Sequence, residues 1–206
     1  VDTVTAAVLT IVGTNGDNAI TYTEGSSSAS GLVTVDGFEG IEFSNKAALI
    51  IQASSGNDVI TIANPYTPAG LTGMITADAG QSTGDRLVVR GTSGAETITY
   101  TPAAFSTNAG TVTVGTLPTI SFNRAEAVEI DGGSNFAGDS LVISTINIDG
   151  IQVLTPGDTF DSGTVDFYVG GFLSMQAPPV TFHNLGADGD VTFYDTARYD
   201  NLVVNG

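Results

Sequence analysis

The sequence predicts an all-β chain wound as an elongated, right-handed parallel β-helix, and three observations carry that expectation. Apolar and polar residues alternate in short bursts, turn-forming residues separate the bursts, and the whole pattern recurs at long range. Each turn of such a solenoid pairs its strands with their counterparts one coil along, so self-similarity is required and insertions are tolerated at corners. Tandem β-sandwiches of about 80–100 residues are the alternative architecture, since they give a similar strand rhythm.

In chain order the bursts read LTIV, AITYT, LVTV, IEF, ALII, VITI, MITA, RLVV, TITYT, TVTV, ISF, VEI and LVI. Period-two alternation places successive side chains on opposite faces, and Val, Ile, Thr, Tyr and Phe suit a half-buried pleated surface. Gly, Asn, Asp, Ser and Pro lie between them and supply positive φ or local side-chain turns. The segments NKAALIIQA and NRAEAVEI are the nearest to a helical pattern. Each reads better as a strand that follows a turn.

The repeat is the strongest feature. GTNGDNAITYT at Gly13 returns as GTSGAETITYT at Gly91, 78 residues on. At that offset Ile20 and Tyr22 fall on Ile98 and Tyr100, and at 79 Gly31, Phe43, Leu49 and Ile51 fall on Gly110, Phe122, Val128 and Ile130. At 81, Asp58, Ile60 and Ile62 fall on Asp139, Leu141 and Ile143. A worn third copy follows: GTVDF at Gly163 echoes GTVTV at Gly110, PPVTFHN at Pro178 echoes LPTISFN at Leu117, and DNLVV at Asp200 echoes DSLVI at Asp139. One solenoid over 1–206 with copies at about 13–62, 91–143 and 163–206 is therefore expected. Its inward residues should include Ile20, Tyr22, Ile60, Ile62, Ile98, Tyr100, Ile130, Leu141 and Ile143.

Composition bounds the partners. Five Lys and Arg against twenty-two Asp and Glu give a net charge of −17, which repels nucleic acid and anionic membrane surfaces. No Cys is present, so there is no thiolate chemistry. No apolar run reaches the roughly 18 residues of a membrane helix, so no membrane span is expected. Acidity, absence of Cys and abundant Thr, Ser and Gly suit a secreted bacterial product.

The phrases GTSGAETITYTP, AGTVTV, LPTISF, AEAVEIDGG and GDSLVI together resemble the repeat units of large secreted bacterial β-solenoid proteins, the RTX-like and adhesin-like arrays of cell surfaces. The resemblance covers residues 9–62 and 91–143, and more weakly 163–206. It implies a β-solenoid and an extracellular or cell-surface location.

An Asp-like residue stands two positions before an inward apolar residue six times: Asn18, Asp58, Asp85, Glu96, Asp139 and Asp200. RTX-type solenoids place such an Asp, within G-x-D-x-U, around Ca²⁺, and GNDVI at Gly56 fits that core. Their motifs follow one another about every nine residues, whereas inward residues Ile20, Ile60 and Ile98 lie 40 and 38 apart. Isolated Ca²⁺ sites are thus the form to expect, at Asp58, at Asp78 and Asp85 flanking AGQSTG, at Asp131 and Asp139 flanking GGSNFAG, and at Asp188 and Asp190. Asp and Asn also make Asx-turns and tolerate left-handed backbone, which explains the same positions without a metal.

No catalytic constellation stands out. Carboxylates are too abundant to single out the pair a glycosidase needs. The one His, His183 in VTFHNL, suits a solvent-facing strand end, and Arg198 with Tyr199 could form a sugar-binding edge. Thr-x-Thr phrases are scattered among Tyr and Glu and read as strand residues, not as an ice-binding face. VTAAVLTIV and NLVVNG both resemble mid-array strands, so head-to-tail self-association or pairing with neighbouring repeats of a longer chain is expected. The sequence thus points to a non-enzymatic structural or adhesive extracellular protein, a surface, sheath, matrix or filament subunit assembling end to end, with a polysaccharide or cell-surface ligand possible. A Ca²⁺-dependent carbohydrate-binding module or a polysaccharide-active β-helix enzyme is the alternative.

Overall fold

The computed structural model describes residues 6–63, 70–103, 106–133, 138–145, 150–159, 161–169, 172–175, 177–194 and 201–205. Alternation in the sequence becomes strand wherever it was expected. The strands are β1 (Val8–Val12), β2 (Ala19–Glu24), β3 (Gly31–Val35), β4 (Ile41–Phe43), β5 (Ala48–Gln52), β6 (Val59–Ala63), β7 (Ile75–Asp78), β8 (Arg86–Arg90), β9 (Thr97–Pro102) and β10 (Gly110–Val114). They continue with β11 (Ile120–Asn123), β12 (Ala127–Asp131), β13 (Ser140–Ser144), β14 (Gly150–Pro156), β15 (Gly163–Val169), β16 (Phe172–Met175), β17 (Val180–His183), β18 (Asp190–Tyr194) and β19 (Asn201–Val204). No helix occurs among the described residues.

The strands form two mixed sheets, one of 8 strands in the order β1-β5-β7-β11-β10-β9-β13-β18 and one of 11 in the order β19-β14-β15-β17-β12-β8-β6-β2-β3-β4, with β16 on β15. All nine residues expected to point inward are buried, each at most 3% exposed. They belong to one apolar cluster that draws on both sheets. At roughly 1.5–3 kcal/mol for each fully buried Ile, Leu, Val or Phe, this cluster is the main stabilising feature.

Pairing is parallel where the chain crosses between sheets and antiparallel where it turns back within one. Each copy contains a meander: β2-β3-β4, β9-β10-β11 and β14-β15-β17. A wholly parallel pattern is therefore not what forms. Asp36 (φ 49°) and its repeat counterpart Gly115 (φ 49°) take the left-handed conformation in the tight turns between the second and third meander strands of the first two copies. After each meander the chain crosses over: β5, β12 and β18 pair in parallel with β1, β8 and β13. The strands that come next, β6, β13 and β19, pair in parallel with the first meander strands β2, β9 and β14. The first and third meanders lie in the 11-stranded sheet and the second in the 8-stranded one, so successive copies exchange sheets. Neither sheet is confined to one copy.

Repeated glycines in the meanders have a packing reason. Gly31, Gly110 and Gly163 face Phe43, Phe122 and Phe182 across the ladder. A β-carbon on Gly110 would lie 2.6 Å from the Thr101 carbonyl oxygen and 2.9 Å from the Phe122 ring, and one on Gly163 would lie 2.7 Å from the Phe182 ring. The bare backbone lets each ring lie across the middle strand. Tyr22 and Phe43 then stack at 6.0 Å between ring centroids, and Tyr100 and Phe122 at 6.2 Å. The buried Tyr100 hydroxyl donates to the Pro178 carbonyl at 3.1 Å, tying the second copy to the third.

Candidate functional site

The acidic residues that precede strands come together in ladders at the corners where the chain crosses between sheets. Asn18, Asp58 and Asp85 each stand one residue before β2, β6 and β8, and Glu126 stands before β12. Parallel pairing stacks these corners, so each backbone N–H meets the side chain of the next coil. Asn18 donates to Asp58 Oδ1 at 2.7 Å, Asp58 to Asp85 Oδ1 at 2.8 Å, and Asp85 to Glu126 Oε2 at 3.0 Å. The open side of the ladder is closed by Asp36, whose carboxylate accepts from the Ala19 N–H and the Asn18 side-chain amide, both at 2.7 Å. A second ladder lies on the other crossover, where Glu96 donates its backbone N–H to Asp139 Oδ1 at 2.8 Å.

Among the described residues, one oxygen in three of these carboxyls has no hydrogen-bond partner. Asp58, Asp85 and Asp139 are at most 1% exposed, and the Oδ2 atom of each is buried without a hydrogen bond. In the GTNGDN and GTSGAE turns the corresponding position is satisfied locally. Thr14 donates its N–H to Asn18 Oδ1 at 2.7 Å, and Thr92 donates to Glu96 Oε2 at 3.1 Å. In the turns before Asp58, Asp85 and Asp139 the second residue is instead left-handed, at Ser54 (φ 85°), Gly80 (φ 127°) and Gly133 (φ 81°).

Two of the orphan oxygens share a glycine neighbour with a backbone carbonyl. A β-carbon on Gly132 would touch both the Asn184 carbonyl oxygen, at 2.2 Å, and Asp139 Oδ2, at 2.6 Å. One on Gly80 would meet the Ser54 carbonyl at 2.8 Å and Asp58 Oδ2 at 3.3 Å. A carboxylate oxygen shielded from water and without a donor favours its neutral form. Burial accordingly pushes Asp58, Asp85 and Glu96 above the ordinary carboxyl range, and Asp139 up to about 6. Glu42 is the opposite case: hydrogen bonds from Ser26 and Ser30 hold its exposed carboxylate down at about 2.

The other residues singled out in the sequence have different surroundings. Asp78 forms a forked ion pair with Arg124, whose Nε lies 2.6 Å from Oδ1. Asp131 faces Arg90 at 3.4 Å and accepts from Asn184 at 3.0 Å. Asp188 is exposed in the turn after β17, and Asp190, also exposed, accepts from the Ser140 hydroxyl at 2.7 Å. Asp58 and Asp85 are therefore neighbours in one ladder, while Asp78, Asp131, Asp188 and Asp190 are held apart from it. No group of three His, Cys, Asp or Glu side chains converges as a metal cage among the described residues.

His183 lies on the outer face of β17, where its Nε2 is 3.0 Å from Glu129 Oε1 and its Nδ1 is 2.8 Å from the Asn184 amide nitrogen. Arg86 completes this patch by pairing with Glu129 at 2.9 Å. Half-exposed pairs of this kind contribute at most about 1 kcal/mol each. A shallow cleft between Thr72–Met74 and Thr116–Thr119 is lined by Thr, Gly, Met, Leu and Pro, without a titratable side chain among the described residues. Arg198 and Tyr199 lie outside the described residues.

Asp36, Glu42 and Glu126 are members of these networks that the sequence pattern did not single out. Glu126 does precede an apolar residue by two positions, Val128, which was the available signal. No family model, curated protein or solved structure matches the chain.

Proposed function

We propose that the chain is a non-enzymatic structural unit of a bacterial outer surface, sheath or extracellular matrix, a flattened β-solenoid that extends end to end by strand addition. The supporting observation is the way the copies join: β6 of the first copy pairs in parallel with β8, which opens the second, and β12 of the second pairs with β17 of the third. The sheets end in open edges, at β1 and β4 on one side and β18 and β19 on the other. No described residue pairs with those edges. A contact that joins unlike ends does not close on itself and generates an open polymer. Acidic turns would keep the flanks of such a polymer apart and soluble.

Sedimentation velocity of the 206-residue chain tests this reading. The expected result is a mass distribution that grows with protein concentration, and a strict monomer throughout would overturn it.

A second reading, a Ca²⁺-dependent module, rests on the orphan oxygens of Asp58, Asp85 and Asp139. Ca²⁺ takes six to eight oxygen ligands, and each position offers one free carboxyl oxygen, so a proton fits these surroundings better. Melting curves in chelator and in millimolar Ca²⁺ are expected to coincide. A rise of several degrees with Ca²⁺ that Asp58→Asn abolishes would assign the cation instead.

A further inference from the structure

Resting on the end-to-end reading, we propose that the seam between two copies of this chain is a parallel pairing of β19 on β1, in the register that β6 and β8 use inside each molecule. The repeat makes β19 the counterpart of β6, through the phrases at Asp58, Asp139 and Asp200, and makes β1 the counterpart of β8. Inside the chain Ile60 pairs with Leu87 and Ile62 with Val89. Carried across the repeat, Leu202 pairs with Leu9 of the next copy and Val204 with Ile11.

Backbone phase agrees with this register. Gly13 donates to the Gln52 carbonyl, so the odd residues of β1 bond to β5 and Val8, Thr10 and Val12 present their N–H and C=O groups to the open edge. Asn205 donates to the Leu154 carbonyl, so Leu202 and Val204 present theirs on the open edge of β19. Within the chain Ile60 and Ile62 face Arg86, Val88 and Arg90 in the same phase, fixed by the Arg86 N–H donating to Asp58 C=O. The side chains agree too. Leu202 shares the inner face with the buried Gln152, its ladder partner, yet is 45% exposed, and Val204 is 58% exposed, because nothing described covers them.

The seam has a second consequence. Two kinds of junction occur within the chain. Between the second and third copies β13 alone closes one copy and opens the next, and β12 pairs directly with β17. Between the first and second copies β6 and β8 do these jobs separately, and β7 fills the matching place in the opposite sheet, between β5 and β11. A docking copy brings its own β1 beside β19, so the junction is of the second kind. The place of β7 is then a slot one strand wide between β18 and β4 of the next copy. Because β19 lies in the 11-stranded sheet and β1 in the 8-stranded one, the docked copy is turned about half a revolution, as successive copies are within the chain.

The chain has no Cys, so introduced thiols report cleanly. L202C and L9C proteins, mixed and oxidised, are expected to form covalent dimers, since in-register strands bring Cα atoms within disulfide range. V191C mixed with I41C is expected to stay uncoupled, being two strand spacings apart across the slot. A T10P variant removes one N–H that faces only the open edge, and should fold with an unchanged β-type circular dichroism spectrum while losing assembly. Coupling of V191C to I41C in place of L202C to L9C would overturn the seam. Polymer in sedimentation without L202C–L9C coupling would also overturn the seam while leaving the end-to-end reading intact, and a monomer would remove both.

Discussion

Asp139→Asn is expected to stabilise the protein at neutral pH, although it replaces a buried residue in a hydrogen-bonded ladder. The ordinary Asp value of 3.8 rises to about 6 at this site, with burial the largest cause, the Glu96 N–H bond opposing it and the Glu96 charge adding to it. In that range the folded state holds a proton that the unfolded state has released. Stability from this group is therefore greatest below pH 4, falls as pH rises from about 4 to about 6, and is flat above. At about 1.4 kcal/mol per pKa unit, the loss at neutral pH is on the order of 3 kcal/mol. An Asn keeps the acceptor for the Glu96 N–H and places an uncharged amide where the orphan oxygen lies. Asn18 already performs this role in the first ladder, where its side-chain amide donates to Asp36 Oδ2. Thermal melts should show Asp139→Asn several degrees above the parent at pH 7 and level with it at pH 4. A variant less stable at pH 7 would mean that the carboxylate is ionised and held by something that Asn cannot replace.

Phe122→Ala is expected to cost about 3–5 kcal/mol, the usual range for deleting a buried aromatic ring. The ring is 3% exposed, stacks on Tyr100 and covers the backbone at Gly110. Gly110→Ala attacks the same contact from the other side. Its methyl would stand 2.6 Å from the Thr101 carbonyl oxygen, a backbone atom that cannot step aside without breaking the β9-β10 pairing. A loss of about 2–3 kcal/mol is expected, against no more than about 0.5 kcal/mol for Gly37→Ala, where a β-carbon would meet nothing within 4 Å. Urea unfolding of the three variants measures this order, and equal stability of Gly110→Ala and Gly37→Ala would contradict the close approach of the Thr101 carbonyl and the Phe122 ring to Gly110.

The strands and their buried faces were legible because period-two alternation is a local property. Ile20, Tyr22, Ile98 and Tyr100 could be placed inward from their own neighbours alone. Strand direction was less legible. GSSSAS at 25–30 and ASSGND at 53–58 are both six-residue turns rich in Ser, yet the first returns along the same sheet and the second crosses to the other. The difference lies in the last residue, since the second turn ends on Asp58, whose carboxylate holds the N–H of Asn18 forty residues earlier. Such a bond joins coils, and alternation within one coil carries no trace of it. The acidic pattern itself was visible, but its orphaned oxygens were not, because Asp is rarely fully buried and burial is set by coils far apart in sequence.

Electron microscopy of the 206-residue chain, at the concentrations where sedimentation shows assembly, tests end-to-end growth most directly. The account predicts thin unbranched filaments one chain wide, with successive subunits turned by about half a revolution. The ten-strand path of one sheet, averaged with the eight strands and one slot of the other, gives a rise of roughly 45 Å per subunit at about 4.8 Å per strand. Discrete particles, or closed dimers joined by like ends, would contradict it.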